Sequence, residues 1–176
     1  MPTKCFLDAS VIADWLILKL AIDSKENEKE INELLLDRKK DNPHLFYAYQ
    51  LIEKIKLDPI KKFKFLTSSL AISEVISVIH DKLCTDKMYE KGIPLKYWYK
   101  YKDQIKLDKD EVLILSKEII SFYLLFIKRK KIKLAEKQII QETIKLISLH
   151  GETHDSFLLS QAIRNKAEYF ISRDGR

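Results

Sequence analysis

The chain has 176 residues, of which 46% are hydrophobic, and its 32 basic and 26 acidic side chains give a net charge of +6. This length predicts one domain with a well-formed core, and the three glycines and four prolines argue against flexible linkers or a turn-rich β-sandwich. The longest apolar stretch, 119–127, is far shorter than the roughly 20 residues that a membrane span needs, so we expect no membrane partner.

The cysteines bear on the cellular compartment. Cys5 and Cys84 are too few for a disulfide framework and match no zinc-ligand spacing. The N-terminal residues do not resemble a secretory signal. We therefore expect a cytoplasmic protein, whose modest positive charge suits a polyanionic partner without requiring one.

Short apolar runs followed by helical patterns recur along the chain. Such runs predict strands at 4–8, 63–69, 132–135 and 168–172. Apolar periodicity predicts helices at 9–21, at 24–40 with Ser24 as the cap, at 44–58, 70–84, 108–131, at 135–151 with Gly151 as the C-terminal cap, and at 153–165 with Thr153 as the N-terminal cap. Residues 85–109 read as an irregular or short-helical insertion.

Short strands alternating with longer helices indicate crossover connections. The sequence therefore predicts an α/β fold, a three-layer α/β/α sandwich with a short, mostly parallel central sheet. We expect residues 1–176 to form a single domain with helical insertions near 24–60 and 85–109. The helices after the first and second strands are apolar enough for one of them to keep an exposed stripe, which would suit a homodimer.

Four acids are predicted at the carboxyl edge of this sheet, where loops and helix N-termini meet in parallel α/β folds. Asp8 ends the first strand, Glu74 lies early in the helix after the second, Asp155 opens a helix, and Asp174 follows the last strand. Each has a simpler interpretation: a helix cap for Asp8, a solvated side chain for Glu74, a dipole-stabilising acid for Asp155 and a turn residue for Asp174. Convergence on one site explains all four placements together.

Clustered carboxylates repel one another unless a cation neutralises them. Oxygen-only ligands favour magnesium or manganese, and no set of histidines and cysteines with zinc spacing is present. We expect Asp8 and Asp155 as the first ligands, completed by Glu74 and Asp174 directly or through water. Ser10 is a candidate supporting hydroxyl, or a residue that starts the helix. His154 adjoins Asp155, but a lone histidine is more often a hydrogen-bonding residue than a ligand.

Four segments around these acids resemble the motifs of PIN-domain ribonucleases. They are FLDAS with Asp8, SSLAISEVISVI with Glu74, HDSFLLSQAI with Asp155, and YFISRD with Asp174, in the family's order. The resemblance implies a PIN-like fold, an acidic pocket that binds Mg²⁺ or Mn²⁺, and catalytic roles for these four acids in hydrolysing RNA phosphodiester bonds. Many small prokaryotic members are toxins of toxin–antitoxin pairs and form homodimers, so an antitoxin protein is an implied partner.

This sequence departs from the PIN pattern in two ways. It stops two residues after Asp174, where members of the family usually continue into another strand, and it is longer in the middle. The alternative function is a non-catalytic PIN-like module that binds RNA or a protein. A haloacid-type phosphatase would need an aspartate where Ser10 stands, and a receiver-like phosphoacceptor would need an acidic pair at the end of the first strand.

Two basic stretches are candidates for RNA contact. The first contains Lys128, Arg129, Lys130 and Lys131, which could equally be the solvated end of a helix. The second, YKYKD at 99–103, combines charge with rings on which bases stack. Its tyrosines could instead be core or interface residues.

Overall fold

A computed structural model of the chain describes residues 2–57, 62–135 and 153–173. Its sheet has four strands, β1 Thr3–Leu7, β2 Phe63–Thr67, β3 Ile132–Leu134 and β4 Tyr169–Ile171. They lie in the order β3-β2-β1-β4, and every neighbouring pair is parallel. Cys5 of β1 is level with Phe65 of β2 and Tyr169 of β4. The carboxyl ends of β1, β2 and β4 therefore meet at one edge.

Seven α-helices lie in the described part of the chain. They are α1 Ala9–Asp23, α2 Glu28–Asp41, α3 Pro43–Leu57, α4 Ser69–Glu90, α5 Trp98–Tyr101, α6 Lys109–Phe122 and α7 Thr153–Arg164. A π-helical stretch, Tyr123–Lys128, continues α6. The predicted α/β class, with a short parallel sheet flanked by helices, is confirmed.

The strand order and the handedness of the connections decide which face of the sheet each helix covers. From β1 the chain steps to β2 and then to β3 in the same direction, and it then returns across the sheet to β4. Because crossovers between parallel strands are almost always right-handed, this reversal places α7 on the face opposite α1 and α4. The result is three layers, with β1 and β2 in the middle of the sheet.

The core is centred on β1 and α1. Phe6 and Leu7 are fully buried, and Trp15 of α1 packs against the rings of Phe122 and Phe126. The Trp15 indole Nε1 donates a 3.0 Å hydrogen bond to Glu53 of α3. These contacts fix α1, and with it the turn that follows β1, between α3 and α6.

Two sequence predictions need correction. Ser24 does not cap α2: it ends α1, and the side chain of Asn27 accepts a hydrogen bond from the Glu30 backbone N–H to cap a helix that begins at Glu28. Asn27 itself has an extended backbone, as N-cap residues usually do. Hydrophobic periodicity alone does not show which residue caps a helix. The proposed insertion at 85–109 starts later, because α4 continues to Glu90.

Other predictions have different outcomes. The helix from 108 is present, and its cap, Asp108, forms a reciprocal capping box with Glu111. The predicted helix at 135–151 with Gly151, and Asp174, lie outside the described residues, as do the side chains of Thr153 and His154. None of the described helices is both long enough and apolar enough to cross a membrane.

Candidate active site

The carboxylate of Asp8 lies at the carboxyl edge of the sheet, between the ends of β1 and β4. Its Oδ2 accepts a 2.7 Å hydrogen bond from Ser10 Oγ and a 2.9 Å hydrogen bond from Ser172 Oγ. The Asp8 backbone N–H donates to the Ile171 carbonyl at 3.0 Å, which extends the pairing of the two strands. Asp8 is 9% exposed. Its carboxylate is therefore fixed by two hydroxyls and partly shielded from water.

The helix-cap interpretation of Asp8 is not what the structure shows. Asp8 occupies the N-cap position of α1, yet among the described residues its side chain makes no capping hydrogen bond. The carboxylate instead faces Ser10 and Ser172. Since an ordinary N-cap side chain accepts from the first-turn backbone, this arrangement favours a role other than helix capping.

A second buried acid, Asp14, lies on α1, six residues after Asp8. It is 1% exposed and accepts a 3.2 Å hydrogen bond from Arg173 Nη1, an ion pair whose arginine side chain is 44% exposed. The Arg173 backbone N–H also donates to Ser10 Oγ at 3.0 Å. Arg173, which follows β4, is thus held against α1 at Ser10 and at Asp14.

Glu74 and Asp155 lie on helices whose N-termini point to this same edge. Glu74 is in the second turn of α4, and its Oε2 atom is buried. Asp155 is in the first turn of α7 and is exposed. Both helices begin at the carboxyl edge, but the convergence of their acids on Asp8 stays a prediction, and Asp174 lies outside the described residues.

The donor chemistry of these groups suits a hard divalent cation. Asp8, Glu74 and Asp155 offer carboxylate oxygens, with hydroxyls from Ser10 and Ser172 beside the first. The described residues, taken alone, contain no group of three or more acidic, histidine or cysteine side chains close enough to hold a metal ion. A four-acid site that includes Asp174 therefore stays a prediction.

Sequence reasoning missed three residues of this cluster: Ser172, Arg173 and Asp14. Ser172 directly follows β4, as Asp8 directly follows β1, so the rule that located the acids also applied to this hydroxyl. Asp14 carried a weaker signal, a charged residue within the apolar run VIADWLIL. A charge there must be paired when it is buried.

The basic run 128–131 lies at the opposite end of the strands from Asp8. It directly precedes β3, so it lies by the amino ends of the strands, opposite Asp8. Lys130 has a left-handed backbone, with φ of 57°, and the turn there returns hydrogen bonds to the last helical carbonyls. Lys131 Nζ donates to the Lys56 carbonyl near the end of α3. These residues have a structural role, and their contact with RNA stays a prediction.

A separate pocket of about 440 Å³ lies between α4 and the segment before α6, lined in part by His80, Cys84 and Lys102. Cys84 Sγ is 3.9 Å from the His80 ring nitrogens, which resembles a thiol with its base. Burial, followed by the charge of Asp81, raises the pKa of the Cys84 thiol. A protonated, buried thiol is a poor nucleophile, so this pair does not indicate cysteine catalysis.

Comparison with known proteins gives one informative relative. An uncharacterized protein of Archaeoglobus fulgidus is 32% identical over 109 residues, which are 61% of this chain and 85% of the archaeal one. The chain belongs to the family of this protein. No family model and no solved structure matches the chain. None of these comparisons gives an activity, so a PIN-type ribonuclease activity is a proposal.

Proposed function

We propose that the protein is a metal-dependent endoribonuclease of the PIN type, with Asp8, Glu74, Asp155 and Asp174 as its acidic residues. The observation that carries this proposal is the Asp8 carboxylate. It is shielded at the carboxyl edge of a parallel sheet, is oriented by Ser10 and Ser172, and makes no capping bond within the described chain. A buried acid at this edge that does not cap its helix is typical of functional sites in parallel α/β folds.

Some of these side chains would bind the metal ion, and others would fix the position of the ligands. Asp8 and Asp155 would supply the principal carboxylate oxygens to Mg²⁺ or Mn²⁺, and Glu74 and Asp174 the remainder. Bound there, the ion supplies a water of lowered pKa and charge compensation for the phosphate oxygens. Ser10 and Ser172 keep one Asp8 oxygen in a fixed direction, and the Arg173–Asp14 ion pair holds the chain that carries Ser172.

Metal dependence is the first test of this function. The full chain, with Mg²⁺ or Mn²⁺, is expected to cleave a single-stranded RNA labelled at both ends, and excess EDTA is expected to stop cleavage because the carboxylates alone do not activate water. Gel analysis of the products measures the rate, and adding metal after EDTA should restore it. Cleavage at an unchanged rate in EDTA would contradict the proposal.

The second candidate function is a PIN-like module that binds RNA or a protein without cleaving it. The absence of a three-ligand metal group from the described residues is the observation that favours it. The presence of all four acids in the PIN-like motifs of the sequence favours the nuclease. A small antitoxin protein would be the expected partner of a toxin of this type, and the two buried, free cysteines fit a cytoplasmic location, where thiols stay reduced.

The proposed homodimer would use α6. The apolar stripe expected on α1 or α4 is instead on this helix, which presents exposed Val112, Leu113, Ile114 and Ile120, followed by Tyr123 and Leu124. Residues of α1 are largely buried because α3 and α4 both pack on that helix. An uncovered stripe of this kind commonly marks an interface.

Leu113 and Ile120 are seven residues apart on one face of α6 and are 67% and 57% exposed. Leu113→Lys is expected to shift a dimer toward monomer, since the lysine would bury a charge between two copies. Sedimentation velocity at micromolar concentration measures the change, with Leu57→Lys, at a leucine that is 81% exposed outside the stripe, as the control. A wild-type protein that sediments only as a monomer would remove this part of the proposal.

A further inference from the structure

Residues 95–106, called the basic segment below, form a defined surface attached to α4. A 3₁₀ turn at Leu95–Tyr97, the helix α5 and a second 3₁₀ turn at Lys102–Gln104 follow one another directly. Trp98 Nε1 donates a 2.7 Å hydrogen bond to the Ile93 carbonyl, and Lys102 Nζ pairs with Asp81 of α4 at 2.6 Å. The segment is therefore fastened at both ends, and its outer side chains are presented from a fixed backbone.

Exposed rings and positive charge alternate on this segment. Tyr97, Tyr99 and Tyr101 are 42%, 81% and 36% exposed. The segment contains four lysines, Lys96, Lys100, Lys102 and Lys106, and one acid, Asp103. The Lys96 ammonium lies 5.0 Å from the centre of the Tyr97 ring, a cation–π pair at the surface. Tyr99, the most exposed of the three, contributes little to the core, so folding does not explain its presence.

The pairing of tyrosine with lysine identifies the class of partner. Tyrosine is enriched in protein–protein interfaces, but lysine is depleted there. A polyanion with flat rings accounts for both residue types, because bases stack on tyrosine and phosphates attract lysine. Stacking needs bases that are not enclosed in a duplex. We propose that the basic segment binds single-stranded nucleic acid, with Tyr99 as the main stacking ring and Lys96 and Lys100 on the phosphates.

The basic segment is remote from Asp8. The helix α4 begins at the carboxyl edge and is 22 residues long, so it extends about 33 Å from that edge. Asp81, which holds Lys102, lies about 18 Å along it, twelve residues after Ser69. A single-stranded nucleic acid bound to the basic segment would therefore contact it several nucleotides away from a phosphate placed at Asp8. The inference goes beyond the proposed nuclease and does not need cleavage to occur.

Binding is tested by fluorescence anisotropy with the full chain, a labelled oligouridylate of about 20 nucleotides, and EDTA throughout so that nothing is cleaved. Tyr99→Ala is expected to weaken binding about five-fold or more, the usual effect of removing one stacking ring. Tyr47→Ala, at a tyrosine that is 58% exposed on α3, is the matched control and should bind as the wild type does. Lys100→Gln should reduce the slope of log affinity against log salt by about 0.7.

Several results would overturn the inference. The first is that the wild type does not bind the oligouridylate. The second is that Tyr99→Ala and Tyr47→Ala bind with equal affinity while Lys100→Gln leaves the salt slope unchanged. The third is that the wild type prefers an RNA duplex of the same length or phosphatidylserine vesicles. If Tyr99→Ala weakens binding in EDTA while the wild type shows no cleavage with metal, the nuclease proposal fails and the binding surface stands. Loss of cleavage and loss of binding are thereby separated.

Discussion

Asp8→Asn is expected to reduce RNA cleavage by about 100-fold or more, because the substitution removes one negative charge from the proposed metal site. Changes to residues that merely support a metal ligand commonly cost 10–100-fold, and a ligand itself should cost at least as much. The structure makes this variant a clean one. The asparagine Oδ1 can accept the hydrogen bonds of Ser10 and Ser172 as the carboxylate does.

The stability of Asp8→Asn separates chemistry from folding. Without metal, its free energy of unfolding should stay within about 1 kcal/mol of the wild type, since only the favourable charge at the N-terminus of α1 is lost. With Mg²⁺, the wild type should melt at a higher temperature than without it, and the variant should not gain. Asp37→Asn, at an exposed acid of α2, is the control and should match the wild type in both assays.

The same pair of measurements distinguishes the two interpretations of Asp155. If it is only a first-turn acid, Asp155→Asn should leave cleavage unchanged and cost at most about 1 kcal/mol. If it is a ligand, cleavage falls as it does for Asp8→Asn. An Asp155→Asn protein that cuts at the wild-type rate, beside an inactive Asp8→Asn protein, would restrict the site to the acids at the strand ends and at Glu74.

Trp15→Ala is expected to lower the free energy of unfolding by about 3–5 kcal/mol, the usual cost of truncating a large buried ring. Trp15 is 1% exposed and has ring centroids 5.7 Å from Phe122 and 5.4 Å from Phe126. The truncation also leaves Glu53 without the indole hydrogen bond. A loss of this size is a large part of the 5–15 kcal/mol that usually stabilises a domain.

Urea unfolding followed by circular dichroism measures the effect of Trp15→Ala. Tyr47→Ala is the matched control, because its ring is 58% exposed and its removal should cost far less. Trp15→Phe should fall between the two, since it keeps a ring in the core but loses the bond to Glu53. Equal unfolding midpoints for Trp15→Ala and Tyr47→Ala would contradict the packing of α6 on α1.

The fold was largely predictable because its signals are local. Short apolar runs such as FKFLT at Phe63–Thr67 identify all four strands in the described chain, and β1 and β2 are each followed by helical periodicity. Helix ends were less predictable where a side chain decides them, as Asn27 does for α2. The exposed stripe was assigned to the wrong helices because exposure depends on which helices pack together, and periodicity does not report that.

The site was predictable in part, for a related reason. The rule for parallel sheets locates Asp8, and it also places Glu74 and Asp155 on helices that begin at the same edge. It could not show that Asp8 Oδ2 would be shared by two hydroxyls, or that Arg173 would reach back to Asp14. The contacts of Ser172 with Asp8 and of Arg173 with Asp14 join residues that are 164 and 159 positions apart, and only the register of β4 beside β1 brings them together.

The hydrogen bond between Ser172 and Asp8 has a consequence for synthesis. The two residues are 164 positions apart, so the first acid of the site leaves the ribosome long before the hydroxyl that orients it. The Asp8 carboxylate is oriented only after β4 has paired with β1. Pairings between distant parts of a chain form late in folding. A nascent chain of this protein therefore carries Asp8 without its Ser172 hydrogen bond until the segment that contains β4 has been translated.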